Sequence, residues 1–192
     1  INKKVSEDIL KIKKSKNFNF AEIENFGNIK SEFTQIDQHI TDILNLDIIQ
    51  IDKIKKLKLK IVIDGINSVG GIAIPKLLEQ LNINYIKLNC DPSGIFSHNP
   101  EPLPQNMKDL CSSVVKNNAD LGLIVDPDVD RLAIVDEKGN PFGEEYTLVA
   151  CADFILSKTK GNTVSNLSSS RALKDIAKKY SVKHFYSSVG EL

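Results

Sequence analysis

The chain has 192 residues, and its 25 Lys and Arg side chains balance 25 Asp and Glu side chains, so its formal net charge is zero. A hydrophobic fraction of 41% with 26% charged residues is typical of a packed domain and excludes a disordered chain. Zero net charge gives no basis for nucleic acid or an anionic membrane as a partner. The longest apolar runs, about five residues, are far shorter than the roughly 20 that span a bilayer.

The first 58 residues have the weakest pattern. Apolar residues at helical spacing predict a short helix over about 5–14 and a second over about 36–44. Residues 18–33 are polar with scattered aromatics, which predicts short strands and turns. One or two further helical turns are predicted over about 51–56.

A clear alternation of strands and helices begins at residue 59. The β-branched run 59–64 predicts a strand, and the glycines of 65–71 predict a tight turn into a helix whose apolar face ends at Leu81. A second strand over 83–89 and a Pro-rich loop over 90–105 follow. Asn106 is the predicted N-cap of the next helix, which carries an apolar stripe to Val115.

Two strands over 121–125 and 132–135 come next. The segment between them is too short for a helical crossover, so we expect them to pair antiparallel. The other strands alternate with helices, which predicts parallel pairing. The fold class is therefore α/β, with a mixed, mostly parallel sheet and helices packed on it. A helix over about 145–156, a linker over 158–161 and a strand–helix–strand unit over 163–187 complete the pattern.

The most informative segment lies between the two close strands. Asp126, Asp128 and Asp130 stand at alternate positions directly after a buried-strand pattern. Three such carboxylates repel one another, and a divalent cation is the simplest compensation. Oxygen ligands suit Mg²⁺, and ligands of open α/β sheets bind beyond the carboxyl ends of the strands.

The same aspartates allow other interpretations. An EF-hand loop is excluded because Arg131 stands where that loop needs glycine and because the flanking elements are strands. A haloacid-dehalogenase-like phosphatase would use Asp126 as its nucleophile, although that family has Thr or Val where Asp130 stands. A solvated acidic turn in a non-catalytic α/β binding module also remains open.

The string Asp126-Pro-Asp-Val-Asp-Arg131 between two hydrophobic strands resembles the metal-binding loop of the α-D-phosphohexomutase superfamily. That superfamily contains phosphoglucomutase, phosphomannomutase and phosphoglucosamine mutase. Residues 62–71, 100–107, 143–146 and 166–171 also resemble segments of its second and third domains.

The resemblance implies a four-domain fold of which this chain is a piece. Residues 1–58 would be the C-terminal tail of domain one and a connector, residues 59–157 the metal-binding domain two, and residues 158–192 the truncated start of domain three. The opening at Ile1 and the stop just after a strand-like run also indicate a fragment.

The resemblance also implies a reaction. Phosphate would move between the 1 and 6 positions of a hexose or hexosamine phosphate through an enzyme phosphoserine. Mg²⁺ would be held by the three aspartates, Arg131 would contact the phosphate, and Gly190 and Glu191 would lie near the substrate. We find no domain-one nucleophile loop, so the chain alone is expected to be inactive. Which sugar phosphate the parent protein uses, and its oligomeric state, are not set by this sequence.

Two further motifs have ordinary interpretations. Ser97-His-Asn-Pro matches the family's nucleophile motif, but it follows the second strand of the wrong domain, so we take the match as coincidence. Cys90, Cys111 and Cys151 have neither disulfide nor zinc-site spacing. They predict reduced thiols in a cytoplasmic protein.

Overall fold

The main sheet is built around one central strand in the computed structural model, which describes residues 2–189. β1 (Lys60–Asp64) has parallel strands on both sides, β2 (Asn84–Leu88) and β3 (Leu121–Val125). β4 (Leu132–Val135) pairs antiparallel with β3, so the strand order is β2-β1-β3-β4. The α/β fold with a mixed, mostly parallel sheet is confirmed.

The remaining elements follow the sequence prediction closely. A second sheet holds two parallel strands, β5 (Thr163–Asn166) and β6 (His184–Ser187). The α-helices of residues 2–189 are α1 (Lys3–Ser15), α2 (Gln35–Leu44), α3 (Ile51–Leu57), α4 (Gly70–Gln80), α5 (Lys108–Lys116), α6 (Glu144–Lys158) and α7 (Ala172–Lys179). Short 3₁₀ turns cover Ile23–Asn25 and Pro104–Asn106.

The core lies on both faces of the main sheet. Alternate side chains of a strand point to opposite faces, so Val62 packs on the α5 side and its neighbours Ile61 and Ile63 pack on the α4 side. Leu110 of α5 and Leu78 of α4 belong to these two clusters. Burial on both faces explains why β1 is a continuous apolar run rather than an alternating one.

The carboxyl ends of β1 and β3 lie side by side at one edge of the main sheet. The crossover from β1 to β2 runs through α4 on one face, and the crossover from β2 to β3 runs through α5 on the other. In the sheet, the chain continues from β1 to β2 on one side and from β3 to β4 on the other side. Such a switch point opens a crevice in which ligands of α/β sheets bind.

The glycines after β1 form a tight turn into α4, as the sequence predicted, and they also permit close packing. A Cβ on Gly71 would lie 2.7 Å from the Cys90 Cα, and a Cβ on Gly70 would lie 2.5 Å from the Val125 Cγ2. Neither position has room for a side chain. The turn is thus pressed against the ends of both neighbouring strands, and α4 begins within it at Gly70.

Two local predictions were wrong. Residues 18–33 contain no strand, only the 3₁₀ turn, and their apolar side chains are exposed, with Ile29 98% accessible. Asn106 is not a helix N-cap, because the 3₁₀ turn ends there and Met107 takes the cap position. The Asn106 amide instead donates to the Glu101 carbonyl oxygen at 2.9 Å.

The three cysteines are free, with Cys90 and Cys111 half-buried and Cys151 exposed. No helix within residues 2–189 combines the length and the apolar character that crossing a membrane requires.

Candidate metal centre

The loop between β3 and β4 brings the three predicted aspartates together. One carboxylate oxygen from each of Asp126, Asp128 and Asp130 lies within 4.8 Å of the others. Asp126 is only 2% exposed, whereas the other two face solvent. The Val129 N–H donates to the Asp126 carbonyl at 3.2 Å, and Val129 adopts a left-handed φ of 62°. This conformation is rare for a β-branched residue, and it forms the tight turn between the aspartates.

The turn after β1 contacts the acidic loop and helps to fix its position. The Ser68 hydroxyl donates to the Pro127 carbonyl oxygen at 2.6 Å. The Gly70 backbone packs against Val125, directly before Asp126. The position of the loop therefore depends on two neighbouring strand ends, as expected at a switch point.

The electrostatics of the cluster favour a bound cation. A hydrogen bond from Asp130 to Asp126 and the negative charges of Asp126 and Asp128 raise the pKa of Asp130. Burial of Asp126 works to raise its pKa, but hydrogen bonds from the Arg131 backbone and side chain outweigh burial and lower the pKa. The donor set is all carboxylate oxygen, two of its members are open to solvent, and their repulsion is only partly offset. These residues fit Mg²⁺.

Arg131 is held by two carboxylates from different parts of the chain. Its Nε donates to Asp126 Oδ2 at 3.0 Å, and its backbone N–H donates to Asp126 Oδ1 at 3.1 Å. Its Nη2 donates to Glu101 Oε1 at 3.2 Å, and its Nη1 donates to Glu101 Oε2. The Arg131 hydrogen bonds lower the pKa of Glu101. Glu101 was not predicted as a site residue, although it lies in the Pro-rich segment quoted for the resemblance.

A second buried carboxylate lies at the same sheet edge and was also missed. Asp64, the last residue of β1, is 1% exposed. It accepts hydrogen bonds of 3.0 Å from the Ile66 backbone, from the Asn89 amide and from His98 Nε2. The position of Asp64 at the end of a buried strand was the available signal. Its partners come from the loops after β1 and β2, so Asp64 ties these loops to the sheet.

The surroundings of His98 favour its protonated form. Its Nδ1 lies 2.8 Å from the Asn99 carbonyl oxygen, and its Nε2 faces the Asp64 carboxylate. A carbonyl oxygen and a carboxylate both accept hydrogen bonds, and only the imidazolium form of the ring can donate to both at once. Burial lowers the pKa of His98, but the hydrogen bonds to Asn99 and Asp64 outweigh it and raise the pKa above the usual value.

The raised pKa of His98 predicts a pH-dependent stability. Because the folded-state pKa is above the unfolded one, the stabilisation is full below about pH 6.5 and is lost as the pH rises through the folded-state pKa. We expect the free energy of unfolding to decline over this range in the wild type and to decline less in His98→Gln. Urea denaturation at several pH values measures this, with the exposed His39→Gln as the control. A decline unchanged in His98→Gln would contradict the prediction.

Three further positions were named from the sequence: Gly190, Glu191 and Ser97. Gly190 and Glu191 lie outside the described residues. Ser97 is exposed in the loop after β2. A cavity of about 350 Å³ adjoins the acidic loop, and its lining includes Asp130, Arg131 and residues of the first turns of α6.

The fold and the site define a class: an open α/β domain with an acidic loop at the carboxyl edge of a mixed sheet. Residues 37–139 match the family model described as phosphoglucomutase/phosphomannomutase, alpha/beta/alpha domain II. The chain belongs to this phosphoglucomutase/phosphomannomutase family. The family membership gives no support to the haloacid-dehalogenase-like alternative.

Individual relatives agree with the family match. The chain is 32% identical over 180 residues to a phosphoglucomutase/phosphomannomutase of Thermococcus kodakarensis, an alignment covering 93% of this chain and 39% of the relative. It is 33% identical to a phosphomannomutase of Methanocaldococcus jannaschii over 79% of this chain and 37% of that protein. The chain thus spans about two fifths of the length of these curated relatives.

Solved structures show the same fold. A phosphoglucomutase/phosphomannomutase family protein from Burkholderia thailandensis superimposes with a TM-score of 0.76 at 22% identity, covering 99% of this chain and 40% of that one. A structure described as a phosphomannomutase from Thermus thermophilus gives a TM-score of 0.73 at 19% identity, covering 85% and 38%.

Proposed function

We propose that this chain supplies the metal-binding part of a Mg²⁺-dependent phosphohexomutase. The observation that carries the proposal is the convergence of Asp126, Asp128 and Asp130 beside Arg131 at the switch point of a chain of this family. Residues 59–157 would form the metal-binding domain two, residues 1–58 the tail of domain one with a connector, and residues 158–192 the start of domain three.

The proposed reaction moves a phosphoryl group between the 1 and 6 positions of a hexose or hexosamine phosphate through a phosphoserine. Such chemistry depends on positioning and on charge neutralisation. The three aspartates would hold Mg²⁺, which, when bound, supplies positive charge that stabilises the phosphoryl oxygens as the P–O bond breaks. Arg131 would donate N–H groups to the same oxygens, because its planar fork matches a phosphate.

The cellular setting of the proposal is the cytoplasm, because three free thiols suit a reducing compartment. The partner is a hexose phosphate. Nucleic acid and membrane have no role in it. Gly190 and Glu191 are proposed to lie near the substrate.

The chain alone should not turn over sugar phosphates, because the reaction needs a phosphoserine that we do not find in this sequence. We expect no conversion of glucose 1-phosphate, mannose 1-phosphate or glucosamine 1-phosphate by the purified chain with Mg²⁺ and glucose 1,6-bisphosphate. Mass spectrometry of the same incubation should find Ser97 unmodified. Turnover, or a phosphorylated Ser97, would overturn the assignment of the nucleophile to another part of the protein.

A chimera tests the positive side of the proposal. Residues 59–157 would replace the matching segment of the Thermococcus kodakarensis relative, and the chimera should retain phosphohexomutase activity. The same chimera with Asp128→Asn should lose that activity at unchanged circular dichroism. A folded chimera that is inactive with every sugar phosphate would contradict the proposal.

A further inference from the structure

Arg131 has no free forked face with which to hold a phosphate. A guanidinium presents five N–H groups, and two pairs of them are parallel enough to grip two oxygens at once. The first pair, on Nη1 and Nη2, donates to Glu101. In the second pair, on Nε and Nη2, the Nε–H donates to Asp126. A two-pronged contact between Arg131 and phosphate therefore requires one carboxylate to leave.

Glu101 is the carboxylate that can leave. Its side chain is 46% exposed, whereas the Asp126 side chain is 2% exposed and also accepts from the Arg131 backbone. Water can solvate a departing Glu101 carboxylate, but releasing Asp126 would leave a buried charge with fewer donors. Glu101 is therefore the carboxylate that a phosphate can replace at the Arg131 guanidinium.

The backbone of Glu101 keeps the carboxylate close to the fork even when the contact opens. The Glu101 N–H donates to the Asn99 side chain at 3.1 Å, and the Glu101 carbonyl accepts from Asn106 at 2.9 Å. Prolines flank Glu101 on both sides, and Pro102 is fully buried. Only the side chain is free to turn, so Glu101 acts as a tethered ligand at high effective concentration.

We propose that Glu101 is a resident competitor for phosphate at Arg131 and thereby sets the selectivity of this anion site. A phosphate monoester dianion displaces the Glu101 carboxylate because it brings more charge and more acceptor oxygens to the fork. A singly charged carboxylate ligand binds the guanidinium no more strongly than the Glu101 carboxylate does, so it does not displace Glu101. This inference rests on the proposed function, in which Arg131 contacts the phosphate.

The test is the affinity of the whole chain for inorganic phosphate in the presence of Mg²⁺, measured by calorimetry or by ³¹P NMR titration. Glu101→Gln keeps the shape of the side chain but weakens its hydrogen bonds with the Arg131 guanidinium. Phosphate should therefore bind roughly 3–10-fold more tightly. Acetate binding, expected to be undetectable in the wild type, should become measurable in this variant.

Loss of a negative charge favours any anion, so a matched control is needed. Glu144→Gln removes the same charge from the lining of the cavity that Arg131 also lines. It should change phosphate affinity by less than about 2-fold, because the Glu101 carboxylate still occupies the Arg131 guanidinium. Equal gains in Glu101→Gln and Glu144→Gln, or weaker binding in Glu101→Gln, would overturn the competitor role.

Arg131→Ala separates this inference from the proposed function. Arg131→Ala should weaken phosphate binding, and adding Glu101→Gln to it should give no more gain than Glu144→Gln gives. Unchanged phosphate affinity in Arg131→Ala would refute the phosphate contact itself. Weakened binding in Arg131→Ala without a specific gain in Glu101→Gln would refute only the role of Glu101.

Discussion

Asp128→Asn should weaken the binding of Mn²⁺ or Mg²⁺ to the chain by at least about 10-fold. The substitution keeps the size of the side chain but leaves two charges where three converge within 4.8 Å. A neutral amide oxygen is a poorer ligand for a hard cation than a carboxylate oxygen. The dissociation constant can be measured by electron paramagnetic resonance of free Mn²⁺ or by calorimetry with Mg²⁺.

Asp109→Asn is the control for this measurement. Asp109 is an exposed carboxylate in the first turn of α5, and its loss removes the same charge outside the acidic cluster. Its effect should be within about 2-fold, because the interaction between exposed charges is screened. Equal metal affinity in Asp128→Asn and in the wild type would favour a solvated acidic turn that binds no ion.

The second large effect is expected from Asp64→Asn, which should lower the free energy of unfolding by about 3 kcal/mol. The Asp64 carboxylate is buried and accepts from three donors, one of them the cationic His98. An amide in its place offers one acceptor oxygen, turns N–H groups towards other donors and leaves the His98 charge without a partner. Urea denaturation near pH 6, where His98 is charged, measures the loss.

Asp91→Asn provides the comparison, because Asp91 lies in the same loop region with an exposed side chain. Its effect on stability should be within about 0.5 kcal/mol, as for most surface substitutions. If Asp64→Asn were as mild as Asp91→Asn, the hydrogen bonds to Asp64 would not hold the loops against the sheet.

Much of the fold could be predicted from the sequence because its signals are local. The β-branched run of β1 and the helical spacing of α4 and α5 specify elements whose apolar faces must be buried. The short segment between β3 and β4 permits only an antiparallel pair. The acidic loop was found for the same reason, since its three aspartates lie within five residues.

The partners of that loop could not be predicted, because they depend on distant segments. Glu101 is 30 residues from Arg131, and His98 is 34 residues from Asp64. Only the parallel pairing of β1 with its neighbours brings these loops to one edge. The missed cap at Asn106 has another cause: the segment Pro104–Asn106 winds as a 3₁₀ turn, which moves the helix start to Lys108.

The central place of β1 also leads us to expect a particular order of assembly. Ile61 pairs with Leu121, which is 60 positions further along the chain, and until this pair forms β3 has no parallel neighbour on which to align. Parallel pairings of this range close large loops and are slow to form. The acidic loop lies directly after β3 and accepts a hydrogen bond from Ser68 in the turn after β1, so we expect its place at the sheet edge to be fixed only after this pairing forms. A cation that binds the loop in this place should therefore act mainly by slowing unfolding, with little effect on the rate of refolding.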